Sequence, residues 1–189
     1  MPSGSELDTQ FRPPKELEEA WGRHEAIVKL GNPVLRQVAP PVARISAETR
    51  QLVERMSVVM REAHGLGLAA PQVGVSTRII IYDAGEGLRV LINPVIVSHK
   101  GEQLDPLEGC LSIPGLQGRV KRYNEIRVRG YDRQNKPVTL RATELEARVI
   151  QHEIDHLDGV LFIDKADPET LEWLIGPGDE DDGNEAPRD

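Results

Sequence analysis

The sequence predicts a single domain that combines helices with several antiparallel strands. A length of 189 residues is typical of one domain and allows a core to be buried without disulfides or a structural metal. The middle of the chain contains apolar or alternating runs bounded by Gly, Asn, Asp and Pro, which indicate strands. Apolar residues with helical spacing precede and follow those runs. Together these observations favour a mixed fold of helices and strands.

The predicted domain is flanked by two polar segments. Residues 1–24 form a polar N-terminal extension that we expect to be partly loose, although "PPKELEEAW" within it is compatible with a short helix. The domain itself is predicted over residues 25–176. The tail over residues 177–189 is acidic and contains glycine, so we expect disorder there.

The first long helix is predicted between Ser46 and His64. Ser46 is a suitable N-cap and Gly65 a suitable end. The apolar residues recur at spacings of three and four, which is typical of an amphipathic helix. They are Leu52, Val53, Met56, Val59, Met60 and Ala63.

Four strands are predicted after this helix, several of them antiparallel. The runs are "RIIIYD" at 78–83, "LRVLINPVIV" at 88–97, "EIRVRGYD" at 125–132 and "PVTLRAT" at 137–143.

A second helix is predicted in "TELEARVIQHEIDHLDG", with Thr143 as N-cap, Glu146 completing a capping box and Gly159 just past the end. Apolar residues on more than one side of this helix place it near the centre of the fold. After it, "VLFID" at 160–164 predicts a short strand. The segment "DPETLEWLIG" predicts a brief helix, with Asp167 as cap, Pro168 in the first position and Gly176 at the stop.

Charge and cysteine content exclude some classes of protein. The formal net charge of -8 argues against general affinity for nucleic acid or anionic membranes. No apolar run is long enough to span a membrane, and the first residues lack the apolar core of a signal peptide. Cys110 is the only cysteine, so no internal disulfide can form. We therefore expect a cytoplasmic protein.

Basic residues are concentrated in one part of the chain. They predict either a solvated sheet face or a surface for an RNA-rich partner. They are Arg119, Lys121, Arg122, Arg127, Arg129, Arg133, Lys136 and Arg141.

The segment "QHEIDHLDG" contains a metal-binding pattern. His152 and His156 lie four positions apart, so on a helix both imidazoles project from one face and can bind a single ion. Glu153 then lies beside the ion, where a general base for hydrolysis is needed. Because two histidines also occur on polar helices without a metal, the pattern requires a third ligand.

The third ligand has two possible sources. Position 162, a histidine in some zinc proteases, is Phe162 here, and a downstream Glu169 or Glu172 stays open. Cys110 in "EGCLSIPG" is the better candidate, because it follows a glycine in a setting suited to a partly exposed thiolate. One cysteine and two histidines leave a tetrahedral position open for water.

A third segment, "GLGLAAPQVG" at 65–74, contains small residues that allow backbone to approach a ligand closely. The amide of Gln72 can donate to a carbonyl oxygen. Taken alone, the segment is equally typical of a tight connection between a helix and a strand.

The segments "GLGLAAPQ", "EGCLS" and "QHEIDHLDG", in this order, resemble the three signature motifs of the peptide deformylase family in its common bacterial form. The resemblance covers residues 26–165. It implies an α+β fold with antiparallel strands packed around a central metal-binding helix. It also implies removal of the formyl group from the N-terminal formyl-methionine of newly synthesised polypeptides, with release of formate.

The resemblance also implies roles for individual residues. Catalysis would involve Glu153 as acid and base, with Gln72 and the backbone N–H of Leu111 holding the formyl oxygen. The metal ligands would be Cys110, His152 and His156. The substrate-binding residues would be Leu66, Gly67, Glu108, Leu145 and Val149, and Arg148 would either line or border the methionine pocket. Glu108 would pair with an arginine such as Arg122 to orient the cysteine loop, or would be a solvated loop acid.

The cofactor implied by the resemblance is one Fe²⁺ ion per chain, with Ni²⁺, Co²⁺ or Zn²⁺ as substitutes. The implied partners are N-formyl-methionyl nascent peptides and, transiently, the ribosome; no membrane and no specific nucleic acid is expected, and a monomer is the expected state. Two alternatives remain open. One is a metalloprotease that cuts internal peptide bonds, and the other is a catalytically silent binding module on the ribosome.

Overall fold

Two antiparallel sheets surround a central helix in the computed structural model, which describes residues 8–103 and 107–174. The helices are α1 (Glu18–Gly22), α2 (Ala47–Glu62) and α3 (Glu144–Leu157). The strands are β1 (Gly67–Ala69), β2 (Ile79–Tyr82), β3 (Arg89–Gln103), β4 (Glu108–Cys110), β5 (Ile113–Gly118), β6 (Arg122–Tyr131), β7 (Pro137–Thr143) and β8 (Glu172–Trp173). The predicted α+β class with antiparallel strands is confirmed.

The larger sheet has the strand order β1-β2-β3-β6-β7, and the smaller sheet has the order β4-β5-β8. All strand pairs in both sheets are antiparallel. The four strands predicted from the sequence correspond to β2, β3, β6 and β7. The sequence runs did not predict β1, β4 and β5, which are short or contain glycine and have no long alternating pattern.

Helix α2 begins after Ser46, as predicted from the sequence. The Ser46 hydroxyl accepts from the backbone N–H of Thr49, and the Thr49 hydroxyl accepts from the backbone N–H of Ser46. This reciprocal capping satisfies two backbone donors. Its buried residues, including Val53 and Met56, pack against Leu68 and other residues of β1 and β2. The helix therefore supports the edge of the large sheet next to the small-residue segment.

Helix α3 lies against the large sheet and is buried over most of its length. Thr143 is the N-cap residue, but its side chain makes no capping hydrogen bond, so the predicted capping box is wrong. Glu146 does not take part in the box, because its carboxylate accepts from the hydroxyl of Tyr82 on β2 at 3.0 Å. Glu144, the residue after Thr143, has φ +51°, which departs from helical geometry at the first position. Gly159 follows the helix with φ +71°, and a Cβ there would lie 2.7 Å from the carbonyl oxygen of Arg36.

The chain after α3 differs from the sequence prediction. Residues Phe162–Asp164 form a 3-10 helix and the predicted strand at 160–164 is absent, because Asp164 accepts from the backbone N–H of Leu161 and closes a turn. The predicted helix at 167–176 is limited to one 3-10 turn, Pro168–Thr170, capped by Asp167. The chain then extends as β8 and pairs with β5. The predicted stop at Gly176 and the tail at 177–189 lie outside the described residues.

The N-terminal extension contains the predicted short helix, seen as the 3-10 turn Lys15–Leu17 followed by α1. Several of its apolar side chains, among them Phe11 and Trp21, pack against the hydrophobic cluster that includes Ile113 and Leu116 of the small sheet. None of the helices within residues 8–103 and 107–174 has the length and apolar character required to cross a membrane.

Candidate metal centre

Three possible metal ligands converge at the junction between α3 and the small sheet. One ligand atom each from Cys110, His152 and His156 lies within 4.8 Å of the others. The two histidines are one helical turn apart on α3, and Cys110 is the last residue of β4. Within the described ranges this group does not include Glu169 or Glu172, so the downstream glutamates do not supply the third ligand.

The orientation of the two imidazoles fits a metal site. His152 uses Nδ1 to contact a carboxylate oxygen of Glu108 at 3.1 Å, which leaves Nε2 for the centre. The Nε2 atom of His156 lies 3.3 Å from the Cys110 sulfur. A histidine that ligates a metal commonly donates its second nitrogen to a carboxylate, as His152 does here. The donor set of one thiolate and two imidazoles suits a transition-metal ion.

The protonation states of the two histidines differ. Burial and the charge of His152 lower the pKa of His156 well below its ordinary value, which keeps that imidazole neutral as a ligand must be. Burial by itself lowers the pKa of His152, but hydrogen bonds to Cys110 and Glu108 outweigh burial and raise it well above the ordinary value. A cation at the centre would compete with the proton of His152 for the same nitrogen.

Cys110 is more enclosed than the sequence predicted. The expectation was a partly exposed thiolate, whereas the residue is only 9 % exposed. Its sulfur accepts from the backbone N–H of Ser112 at 3.4 Å and from Gln72 Nε2 at 3.6 Å. The thiolate is the form of cysteine that binds metals, and these contacts place the sulfur beside the two imidazoles.

Glu108 is the hub of a buried ionic network beside the metal centre. Its carboxylate accepts from Arg122 Nε and Nη2, both at 2.8 Å, from Arg148 Nη1 at 2.9 Å, and contacts His152. Burial alone would raise the pKa of Glu108, but the hydrogen bonds from Arg122 and His152 and the charge of Arg122 hold it well below the usual range. The alternative of a solvated loop acid is therefore wrong, because the residue is 5 % exposed.

Arg122 is bound on both sides within this network. Besides Glu108, its guanidinium donates to Asp155 on α3 at 2.5 Å, and Lys165 contacts the same carboxylate at 2.6 Å. Arg122 is therefore buried and is an exception among the basic residues of its strand, where Arg127 and Arg129 are exposed. The bidentate contact with Glu108 joins the cysteine-bearing strand β4 to β6, and the contact with Asp155 joins β6 to the histidine-bearing helix.

Glu153 is buried next to the ligand cluster, with 4 % exposure. Its Oε2 atom has no hydrogen-bond partner within the part of the chain that the structure describes. Burial raises the pKa of Glu153 to about 7, more than the charge of His152 lowers it. A buried carboxyl with a free oxygen and a pKa near neutrality is suited to accept and release a proton.

Gly67 on β1 lies directly against Glu153. A Cβ at position 67 would lie 2.9 Å from both Cγ and Cδ of Glu153. This distance is shorter than the distances at which Cβ atoms contact other heavy atoms in proteins. The absence of a side chain at Gly67 therefore makes the observed position of Glu153 possible.

We expect Gly67→Ala to displace the Glu153 carboxylate and to lower kcat by about 100-fold or more, because misplacement of a reacting group by about 1 Å has an effect of that size. The steady-state turnover rate measures the loss. Gly22→Ala, at an open site without a positive φ, is a control for glycine replacement away from Glu153. A Gly67→Ala enzyme within a few-fold of the parent would contradict the importance of this contact.

Gln72 lies in the 3-10 turn Ala70–Val73 and is 1 % exposed. Its Oε1 accepts from the backbone N–H of Ala69 at 2.9 Å, so its NH₂ group faces the cysteine loop and donates to the Ser112 hydroxyl at 3.2 Å. Ser112, which is completely buried, was not selected from the sequence. Its position two residues after Cys110 in "EGCLS" was the available signal.

A cavity of about 230 Å³ opens beside these groups. Every residue that the sequence assigned to substrate binding lines it, and so do Gln72, Leu111, Cys110, His152 and Glu153. Arg148 also lines the cavity. Leu107 is a further lining residue that sequence reasoning missed, because a lone leucine in a loop carries no pattern. The cavity combines apolar walls with a few polar groups, as small-ligand sites usually do.

An α+β fold in which a thiol and two imidazoles converge beside a cavity lined by a buried glutamate defines a metal-dependent hydrolase. The family model described as polypeptide deformylase matches residues 24–172. The chain belongs to the polypeptide deformylase family.

Individual relatives and solved structures agree with this assignment. The chain is 48% identical over 141 residues to the peptide deformylase of Carboxydothermus hydrogenoformans, covering 75% of this chain and 92% of that one. It is 51% identical over 140 residues to that of Pelotomaculum thermopropionicum, covering 74% and 90%. Its structure is similar to peptide deformylase from Synechococcus elongatus in complex with actinonin, at a TM-score of 0.72, 46% identity and coverage of 75% and 78%. The Thermotoga maritima peptide deformylase gives a TM-score of 0.73, with 39% identity and coverage of 75% and 97%.

Proposed function

We propose that this enzyme removes the formyl group from the N-terminal formyl-methionine of newly synthesised polypeptides and releases formate. The observation that carries the proposal is the buried Glu153, whose free carboxylate oxygen lies beside three converging metal ligands at the end of a partly apolar cavity. Membership of the deformylase family supports the choice of a formyl amide as substrate.

The metal ion would be held by Cys110, His152 and His156. When bound, it supplies Lewis-acid activation of water and of the formyl carbonyl. Glu108 orients His152 from the far side of the ring, and Arg122 and Arg148 hold Glu108 in place. These contacts keep the ligands in position before substrate arrives.

Glu153 carries the proton during hydrolysis. Its Oε2 accepts a proton from the attacking water, and the same carboxyl then donates that proton to the amine that leaves as the C–N bond breaks. The raised pKa of Glu153 supports both steps, because a group that titrates near neutrality accepts and releases protons with similar ease.

The amide NH₂ of Gln72 and the backbone N–H of Leu111 are proposed to donate to the formyl oxygen as it gains negative charge. The contact between Ala69 and Gln72 Oε1 supports this role, since it directs the NH₂ group towards the cysteine loop and the cavity. Fixed donors of this kind each contribute about 3 kcal/mol to stabilisation of the tetrahedral intermediate.

The substrate backbone is proposed to pair with β1 around Leu66 and Gly67. β1 is an edge strand of the large sheet, and the Leu66 carbonyl accepts from the backbone N–H of Asp83 on the β2 side. Because alternate residues of an antiparallel strand bond to opposite sides, the N–H and C=O of Gly67 are directed to the free edge. Leu145 and Val149 would form the wall for the methionine side chain.

We propose Fe²⁺ as the working ion, with Ni²⁺, Co²⁺ or Zn²⁺ as substitutes, on the basis of the family and the mixed thiolate and imidazole ligand set. Metal analysis and activity after anaerobic purification test this choice. Full zinc occupancy together with full activity would overturn iron as the working ion.

The proposed substrate also suggests where the enzyme works. Nascent formylated chains are made in the cytoplasm, so we place the enzyme there, as a monomer that associates transiently with ribosomes. The exposed basic residues of β6, including Arg127 and Arg129, support such an association by their charge.

Replacing Arg127 and Arg129 with neutral residues should weaken the pelleting of the protein with ribosomes. Unchanged pelleting would exclude the exposed basic residues of β6 as the ribosome contact.

Formate release from a formyl-Met peptide tests the function directly. The metal-loaded enzyme should release formate and leave every internal peptide bond intact, and Cys110→Ser should lose metal and activity together because the hard hydroxyl is a poor substitute for thiolate. The two alternatives predict different products. A metalloprotease would cut unformylated peptides, and a silent binding module would release no formate with any metal.

A further inference from the structure

The N-terminal segment over residues 8–21 lies outside the match to the family model, which begins at residue 24. We propose that this segment positions Cys110 by holding the second strand of the hairpin that carries it. It would act on the metal centre through protein contacts alone. The inference rests on the proposed role of Cys110 as a metal ligand.

The hairpin that carries Cys110 has few neighbours within its own sheet. β4 pairs only with β5 within this sheet, and β5 also pairs with β8, which has two residues. The larger sheet does not extend to them. Cys110 is paired with Ile113 across a register irregularity. Because an isolated hairpin is marginally stable at best, this one depends on contacts from outside the sheet.

Two side chains of the N-terminal segment contact β5 immediately after Ile113. The indole Nε1 of Trp21 donates to the carbonyl oxygen of Pro114 at 3.0 Å. Leu17 packs on Gly115, where a Cβ would lie 2.7 Å from Leu17 Cδ1. Since Pro114 directly follows the residue paired with Cys110, these contacts restrain the strand partner of the thiol itself.

The N-terminal segment is also anchored at both of its ends. At one end, Asp8 pairs with Arg36 at 2.5 Å, and Arg36 pairs in turn with Asp164 at 2.5 Å. These three side chains are 11 %, 18 % and 21 % exposed, so the pairs are screened less than surface pairs. At the other end, the ring of Trp21 lies 6.3 Å from the ring of Trp173 on β8.

The opposite side of the cysteine loop is held by residues within the family match. The backbone N–H of Leu30 donates to the carbonyl oxygen of Ser112 at 2.9 Å, and Gln72 donates to the Ser112 hydroxyl. The ion pairs of Glu108 hold β4, and the backbone N–H of Leu174 donates to the carbonyl oxygen of Gly115 on β5. Loss of the N-terminal set therefore removes the contacts on one side of β5, so the hairpin opens more readily and Cys110 is held less closely to the two histidines.

Hydrogen exchange of the metal-free, full-length chain tests these contacts. Trp21→Ala removes the indole donor and the ring, whereas Trp21→Phe keeps a ring and loses the donor. We expect amides of residues 108–118 to exchange about tenfold faster in Trp21→Ala and less so in Trp21→Phe, with α3 unchanged, because a segment can open without global unfolding. Alkylation of the buried Cys110 thiol should accelerate in parallel.

Two control variants separate local from global effects. Glu16→Gln changes an exposed side chain of the same segment and should match the parent. Val53→Ala creates a cavity under α2 and should accelerate exchange across the chain rather than in the hairpin. Leu17→Ala replaces Trp21→Ala if the latter does not fold. The proposal is overturned if amide exchange in residues 108–118 is unchanged in both Trp21→Ala and Leu17→Ala. It is also overturned if these variants accelerate exchange across the whole chain, as Val53→Ala is expected to do.

Cobalt retention links the hairpin to the metal centre. In the Co²⁺-loaded chain, the thiolate-to-cobalt absorption should decay about tenfold faster in chelator for Trp21→Ala than for the parent, within the range found for residues that support metal ligands. Faster hairpin exchange without faster cobalt loss would overturn the positioning role. If the parent protein binds no cobalt, the proposed function is overturned as well. If only Trp21→Ala loses cobalt faster, the result concerns the positioning of Cys110 alone.

Discussion

Glu153→Gln is expected to keep the fold and the bound metal of the parent but to lose about 10³-fold or more in kcat, since general acid and base groups contribute about 10² to 10⁴-fold. The side chains have nearly the same shape, so the ligands on either side should stay in place. Gln cannot take the proton from water or return it to the amine. Formate release and metal content, measured on the same preparation, check both parts of the expectation.

Glu146→Gln is the matched control for this variant. It makes the same chemical change on the same helix, but Glu146 contacts Tyr82 and lies outside the ligand cluster. We expect its kcat to stay within a few-fold of the parent. A Glu153→Gln enzyme with comparable activity would remove Glu153 from the proposed mechanism, and loss of metal from it would assign the residue to the metal site instead.

Arg122→Ala is expected to lower the free energy of unfolding of the metal-free chain by about 3 to 5 kcal/mol, the usual result of removing one partner from a buried ion pair. The change removes three of the hydrogen bonds that Glu108 and Asp155 accept. Metal affinity should also fall about 10 to 100-fold, because Glu108 would no longer hold His152 firmly. Urea denaturation and a metal-competition titration measure the two effects.

Two variants define what the guanidinium contributes. Arg122→Lys keeps the charge but not the bidentate geometry and should recover only part of the loss. Arg141→Ala removes an exposed arginine that pairs with Glu125 on the same sheet and should leave unfolding unchanged within error. If Arg122→Ala resembled Arg141→Ala, the network around Glu108 would be dispensable for stability.

Long local patterns were predicted well from the sequence. The spacing of apolar residues in α2 and α3 and the alternating runs of β2, β3, β6 and β7 are properties of short windows, and the structure confirms those elements. The prediction of a strand at 160–164 was wrong because Asp164 closes a local turn with Leu161, and the prediction of a helix at 167–176 was wrong because a contact between distant parts of the chain determines that region. Trp173 pairs with Leu116 in the small sheet, and this pairing extends a segment whose local pattern favours a helix.

The N-terminus of α3 also shows that a long-range contact can override a local sequence pattern. Thr143 and Glu146 have the spacing of a capping box, but Glu146 is taken by Tyr82, which is 64 residues away in sequence. Likewise, Arg148 and Asp155 belong to the site through contacts that no local pattern encodes.

The sequence by itself determined the family, the helix with His152 and His156 on one face, and the candidate ligand Cys110, because helical spacing and short motifs encode local geometry and chemistry. Only the tertiary structure decided that Cys110 reaches the two histidines, that Glu108 is buried between two arginines, and that the N-terminal extension packs against the cysteine hairpin. The physical reason is that burial and long-range pairing depend on which surfaces meet after folding, and those surfaces come from segments far apart in the chain.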